Sequence, residues 1–245
     1  MALLFDKKAD AYAAGRKGYA PEAVEKLISM MPEGSAAADM GSGTGLFSEQ
    51  LIRAGVLTYC IEPDAGMRAK AEAKLSGEPL FRSVAASAEA TSLPDKSVGL
   101  VAAAAALHWF DPEGFRKECA RILMPGGIVG ILNNVRDYDD PLTKDHHALC
   151  LQYCPSFTSF VHGFEKVSKR IPSILTEYEL FEYPFPLEYS VGTFVSRGLS
   201  SSYSPKSGDP QYAEFAEELR KLAEKYAENG VIRVGNKISL FVGKI

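Results

Sequence analysis

An acid followed by three alternating glycines stands out for chemistry in this chain: Asp39-Met40-Gly41-Ser42-Gly43-Thr44-Gly45. Glycines at alternate positions let the backbone turn sharply and let a ligand approach where a Cβ would collide. The spacing differs from the dinucleotide fingerprint Gly-x-Gly-x-x-Gly, because the third glycine comes one place early and Leu46 stands where it should be. No Gly-Lys-Ser/Thr follows, so it is not a Walker loop. Asp39, just beneath the turn, repels a phosphate but can accept hydrogen bonds or pair with an ammonium. The ligand this predicts carries an amine and no pyrophosphate. Glu62, downstream, can take both hydroxyls of a ribose.

The elements around these residues follow from pattern. Ala36-Ala37-Ala38 suits a strand covered on both faces. Phe47, Leu51 and Ala54 fall at helical spacing, so the glycine turn opens a helix whose N-terminus offers free N–H groups. Leu57–Glu62 reads as a second strand, ended by Pro63 and Asp64, and Asp64 can cap a helix to Leu75. Leu80–Val84, Val98–Ala103 and Ile128–Asn133 read as third, fourth and fifth strands, the fourth leaving through Leu107-His108-Trp109-Phe110. Pro21 opens a helix with Val24, Leu27, Ile28 and Met31 on one face, and Asp111 caps another carrying Phe115, Cys119 and Ile122. Strands alternating with helices predict a doubly wound, mostly parallel α/β sheet. Such sheets bind ligands beyond the strand C-termini, where strand order reverses. Glu62, Ser87–Glu89 and His108–Phe110 would then share one rim with the glycine turn.

After Asn134 the alternation stops. About 75 residues pass before the next strong helix, and a break that long usually builds a lid. Asp139-Asp140-Pro141 starts a helix to about Cys154, Pro172 starts a short one, and Tyr178–Val191 reads as a kinked strand. Pro210 opens a long amphipathic helix with Tyr212, Phe215, Leu219, Leu222 and Tyr226 on its stripe, ended by Asn229-Gly230. Ile238–Val242 closes the chain as a strand. The predicted division is 1–133 for a cofactor-binding core, 134–204 for a substrate lid, and 205–245 for a helix and strand completing the core sheet.

At these residues the chain resembles the class I S-adenosylmethionine-dependent methyltransferases, of the small type-11 kind. Asp39-Met-Gly-Ser-Gly-Thr-Gly45 is similar to the family's first motif and Glu62 to its ribose-binding acid. Ser87-Ala88-Glu89 with Leu93-Pro94-Asp95 is similar to the segment flanking the adenine. Leu107–Phe110 and Leu123-Met-Pro-Gly-Gly127 also follow the family pattern. The likeness covers roughly residues 5–133, with a looser match at the C-terminal helix and strand. It implies a Rossmann-like sheet of seven strands whose last strand is antiparallel. It implies S-adenosyl-L-methionine as cofactor, and a cofactor set of Tyr12, Arg16, Tyr19, Asp39, Gly41, Ser42, Gly43, Gly45, Glu62, Pro63, Met67, Ser87, Ala88, Glu89, Ala105, His108 and Trp109. Phe5, Ala9 and Tyr12 fit a short helix like the one that often closes over the cofactor. Two positions depart from the pattern: Ser87 replaces a frequent acid, and Gly99 a frequent Asp that is mostly structural.

His108 is the candidate catalytic residue. A neutral imidazole near the transferred methyl can take a proton from an oxygen or nitrogen nucleophile; otherwise His108 and Trp109 wall the pocket. His146, His147, Cys150 and Cys154 invite a metal, but their spacing fits no usual zinc pattern, and a cysteine-lined core face accounts for them. No metal is expected. The aromatics of 134–191 serve as a lid core or line an apolar acceptor pocket.

Composition bounds the function. The chain has 245 residues, 46% hydrophobic and 24% charged, as an ordinary globular protein does. A net charge of −4 argues against a nucleic-acid surface. The N-terminal apolar run is too short for a signal peptide and no stretch matches a membrane span. The four cysteines are then reduced thiols in a cytoplasmic protein. The expected function is methyl transfer to a small acceptor. The alternatives are an NAD(P)-dependent oxidoreductase, a non-catalytic nucleoside-binding protein, and, against the acidic charge, an RNA methyltransferase.

Overall fold

The computed structural model describes residues 18–245. Its contacts divide the chain into two compact units. One holds the chain to Asn133 with Lys166–Tyr183 and Ile238–Ile245; the other holds Asn134–Glu165 and Pro184–Lys237. Tyr12, Arg16 and the helix expected over Phe5–Tyr12 lie outside the described residues.

The first unit is built on β1 (Ala37–Met40), β2 (Thr58–Ile61), β3 (Phe81–Val84), β4 (Val98–Ala104) and β5 (Leu123–Arg136). Its connecting helices are α1 (Pro21–Met30), α2 (Leu46–Arg53), α3 (Ala65–Leu75) and α4 (Pro112–Ile122). Pairs β1–β2, β2–β3, β1–β4 and β4–β5 are parallel. Later in the chain come β6 (Glu177–Pro184) and β10 (Asn236–Lys244). The sheet of seven strands then runs β3-β2-β1-β4-β5-β10-β6. The parallel, doubly wound architecture is the one the strand–helix alternation predicts. Strand order reverses between β1 and β4, which is where the first and fourth strands leave a crevice at their C-terminal ends.

Every residue of β1 is buried, and so are six of the seven of β4, because helices cover both faces. Small side chains there, Ala37, Ala38, Ala102 and Ala103, let the helices pack close. Asp64 and Asp111 cap α3 and α4 by accepting from the Met67 and Gly114 amides.

The second unit contains α5 (Pro141–Tyr153), α8 (Val191–Ser200) and α9 (Tyr212–Tyr226), with a small antiparallel sheet. That sheet is β7 (Leu187–Ser190), β9 (Val231–Val234) and β8 (Ala227–Glu228), in that order. Leu142, Phe157, Phe194, Phe215, Leu219 and Ile232 belong to its core. Between the two blocks of this unit, α6 (His162–Ser168) and α7 (Ile171–Ile174) lead into β6.

Three local expectations change. Tyr178–Val191 is two strands, not one, because the chain leaves β6 at Pro184 and enters β7 of the other sheet. Asn229-Gly230 does not cap a helix. Both residues have positive φ, 50° and 77°, and form the two-residue turn of the β8–β9 hairpin. Asn-Gly is favoured at that turn for the same reason it is favoured at helix ends, so the sequence signal is shared. Helix α9 packs on α5 and α8 and groups with the second unit rather than with the core sheet.

Candidate functional site

The site begins where β1 ends. Gly41, Gly43 and Gly45 all take positive φ, 65°, 57° and 76°. The Gly41 and Ser42 amides donate to the Ile61 carbonyl, and the Gly45 amide to the Ser42 carbonyl, so the turn is held by its own backbone. The neighbours differ. A Cβ on Gly41 would meet Ala106 Cβ at 2.9 Å, and one on Gly45 would meet Leu75 Cδ1 at 2.8 Å. A Cβ on Gly43 would meet no atom of the described residues within 4 Å. Two glycines therefore serve packing and one presents its backbone outward.

Asp39 is 1% exposed. Its Oδ2 accepts from Ser48 Oγ at 2.6 Å, while Oδ1 has no hydrogen-bond partner among the described residues. Burial pushes its carboxyl up to about 7; the Ser48 hydrogen bond opposes this and the Glu62 charge adds to it. Ser42 Oγ is likewise buried and without a partner among the described residues. Native interiors rarely leave such atoms unpaired, so each marks a place where a partner is wanted.

Glu62, 8% exposed, accepts from the Gly43 amide at 2.8 Å through Oε2 and from the Asp64 amide at 2.9 Å through Oε1. It ties the glycine turn to the cap of α3. A carboxylate has about four acceptor sites, so two amides leave it capacity for two hydroxyl donors. Arg68 Nη1 donates to the Glu62 carbonyl at 2.9 Å and, more weakly, to that of Pro63, and Met67 stands in the first turn of α3.

On the other side of the reversal point, β4 gives way to Ala105, a non-glycine residue at φ 55° whose amide donates to the Leu132 carbonyl. The backbone then enters one turn of 3-10 helix, Leu107–Trp109. His108 is exposed and its ring lies 4.9 Å from that of Trp109, itself 69% exposed. Arg170 holds this turn, donating from Nη1 to the Leu107 and Phe110 carbonyls. Ser87 and Ala90 form a bridged turn with Ala88 buried. Glu89 Oε1 accepts from the Asp111 amide, bracing the start of α4.

Tyr19 is buried on α2. Its amide donates to Gln50 Oε1, its carbonyl accepts from Gln50 Nε2, and its ring meets Phe47 edge-on at 5.3 Å. Asp39, the glycine turn, Glu62 and Ala106–Phe110 thus come together by contact. Ser87–Glu89 are joined to α4 instead, and Tyr19 to α2.

Sequence reading missed two supports. Arg170 looks like one charge in a solvated Lys/Arg cluster, and only its backbone partners show otherwise. Glu118, on the inner face of α4, accepts from Thr91 N and Oγ1 and from Arg121, whose Nη1 also reaches Leu93 O and Asp95 Oδ1. Burial would raise its carboxyl, but the Arg121 and Thr91 hydrogen bonds win and hold it at about 2. A Glu among apolar helix positions was the available signal.

Residues 38–131 match the family model described as a methyltransferase domain. This stretch is similar to methyltransferase domains. A Mycobacterium tuberculosis protein named as an uncharacterized methyltransferase is 35% identical over 137 residues, covering 56% of this chain and 54% of the relative. The chain thus spans about half the length of the mycobacterial relatives it matches. A Schizosaccharomyces pombe uncharacterized methyltransferase-like protein is 31% identical over 172 residues, covering 64% and 65%. A solved structure of a candidate type II methyltransferase from Anaeromyxobacter dehalogenans superposes with a TM-score of 0.69 at 23% identity, over 94% of this chain and 97% of that one. That superposition shows the fold. The matched stretch holds the glycine turn, Glu62 and the His108 turn, and it ends in β5. Among the described residues no helix is long and apolar enough to cross a membrane.

Proposed function

We propose that this chain transfers the methyl group of S-adenosyl-L-methionine to a small acceptor. The observation that carries the reading is the pair of buried oxygens, Asp39 Oδ1 and Ser42 Oγ, that have no partner among the described residues, beside a glycine turn that these residues leave open at Gly43. An amino-acid-bearing nucleoside fits that donor and acceptor set, and a pyrophosphate does not, because Asp39 repels it. In this reading the Asp39 carboxylate favours the ligand's ammonium, directly or through water, and Glu62 takes the ribose hydroxyls with its two remaining acceptor sites. Gly43 gives the ligand backbone-close approach, and Ala88, Glu89 and Met67 border the base. Tyr12, Arg16 and Tyr19 complete the set on the N-terminal side.

The sulfonium of the cofactor supplies an already activated methyl group, so the chain's own task is alignment and water exclusion. His108 and Trp109 wall the site beyond β4. Exposure of the imidazole favours a wall over a desolvated base, and loss of His108 is expected to spare cofactor binding.

The test is a thermal-shift comparison. S-Adenosylhomocysteine at about 100 times its dissociation constant is expected to stabilise the chain by ~2.7 kcal/mol. A shift with NAD(P) and none with S-adenosylhomocysteine would replace this reading with the oxidoreductase. His108→Ala then separates base from wall: full turnover on an identified acceptor excludes the base.

A further inference from the structure

The second unit buries a positive charge that no carboxylate among the described residues meets. Arg136 Nη1 is buried and has no hydrogen-bond partner among the described residues. Its guanidinium lies over the Phe160 ring, 5.1 Å from the centroid. The groups acting on its charge are Tyr203, Tyr189, Arg197 and Cys150, and a second arginine among them adds repulsion. Arg197 itself lies over the Tyr189 ring at 5.1 Å.

His146, 3% exposed, is part of the same cluster. Neither Nδ1 nor Nε2 has a hydrogen-bond partner among the described residues. Its ring sits 5.0 Å from Phe160 and 5.2 Å from Phe194. Burial and the neighbouring Arg136 charge push its pKa down to about 3, so the imidazole is neutral, with one N–H to give and one lone pair to accept. Phe157 and Tyr203 extend the aromatic wall, their rings 4.9 Å apart.

A buried guanidinium without an anion is expensive, and so is a buried imidazole without partners. A chain that needed these residues only for packing would do better with apolar ones. We propose that Arg136, with His146 beside it and Arg197 at Tyr189, binds the carboxylate or phosphate of an aromatic or apolar small molecule, the anionic group seated on the guanidinium and its apolar body among the rings. Resting on the methyltransferase reading, that molecule is the methyl acceptor. Arg suits the task because its planar fork matches both anions.

The experiment measures binding to the full chain by calorimetry, with benzoate, phenyl phosphate and neutral benzamide as probes. Benzoate or phenyl phosphate is expected to bind and benzamide not, and the tighter anion names the acceptor's charged group. Arg136→Gln is expected to weaken the anion at least tenfold, and Arg136→Lys to keep part of it. Equal binding of benzamide, no anion binding at all, or unchanged binding in Arg136→Gln overturns the proposal. The melting temperature of unliganded Arg136→Gln is a second arm. A residue kept for a ligand leaves it unchanged or raised on substitution, whereas a fall of several degrees marks Arg136 as a structural group and also overturns it. The S-adenosylhomocysteine shift, measured on the same samples, separates the two readings. Its absence in wild type with the anion bound removes the methyltransferase reading and leaves the anion site.

Discussion

Ser48 donates its hydroxyl to Asp39 Oδ2 at 2.6 Å, which leaves the other carboxyl oxygen buried and unpaired. One hydrogen bond does not offset burial, and the carboxyl rises from its ordinary 3.8 to about 7. Between those values the folded chain holds a proton that the unfolded chain has lost. Stability of the unliganded chain therefore falls as pH rises through this window. A ligand ammonium favours the carboxylate, so ligand affinity runs the other way. S-Adenosylhomocysteine is expected to bind several-fold more tightly at pH 8 than at pH 5.5. In Asp39→Asn binding is weaker and the pH slope is gone. Calorimetry at four pH values checks this, and a flat profile in the wild type would show that Asp39 does not face the ligand's charge.

Glu62 holds the Gly43 and Asp64 amides at once, so its loss has two effects. Glu62→Ala leaves both donors without their acceptor, for ~1–2 kcal/mol of stability. It also removes the acceptor for two hydroxyls, and S-adenosylhomocysteine affinity is expected to fall at least tenfold. Comparing S-adenosylhomocysteine with its 2′-deoxyribose analogue separates the two effects. The wild type should discriminate between them and Glu62→Ala should not.

Much of the first unit is legible because its signals are local. Asp64 and Asp111 cap the helices that follow them, and Asp39-Met-Gly-Ser-Gly-Thr-Gly45 forms its turn from its own glycines. What stayed hidden depends on partners distant in sequence. Glu62 reads as a ribose acid, but its bond to Gly43, nineteen residues back, is a tertiary fact. Arg170 reaches Leu107 across sixty-three positions. Of His146, His147, Cys150 and Cys154, the two cysteines and His146 are buried, and on the helix Leu142, Thr143, His146, Cys150 and Tyr153 turn inward. His147 instead stacks edge-on against Tyr138 and Phe157. An apolar stripe is too weak on this helix to fix its rotation, because polar residues flank it on both sides.

Gly99 departs from the family's Asp, and the structure gives the reason. A Cβ at this position would stand 2.0 Å from Ser35 Oγ and 2.6 Å from Ser35 Cβ. The turn after α1 occupies the space that the Asp side chain would need. Gly99→Asp is expected to destabilise by ~1–3 kcal/mol through overpacking. Ser35→Gly, which removes both clashing atoms, should recover part of that in the double variant, so the two changes are not additive. Chemical denaturation of the four chains measures the coupling, and strict additivity would show that Ser35 is not the obstacle.

Glu118 offers a test of what holds the segment proposed to flank the adenine. Its carboxylate joins the Thr91 amide and hydroxyl to Arg121, and Arg121 carries on to Leu93 O and Asp95. Its pKa falls from 4.5 to about 2, so its contribution is complete above pH 4.5 and is lost as pH drops towards 2. Glu118→Gln keeps the shape and one acceptor but gives up the charge that Arg121 pairs with. The expected cost is ~1–2 kcal/mol at pH 7, with Arg121 partly in water and its ion pair discounted accordingly. At pH 2 the wild-type carboxyl is half protonated, and the difference between the two chains should shrink. Because Thr91–Asp95 follows directly on Ser87–Glu89, the variant should also weaken S-adenosylhomocysteine more than it weakens a ligand lacking the adenine. Equal loss for both ligands, or a stability gap that does not close in acid, would mean that the network acts on the fold alone.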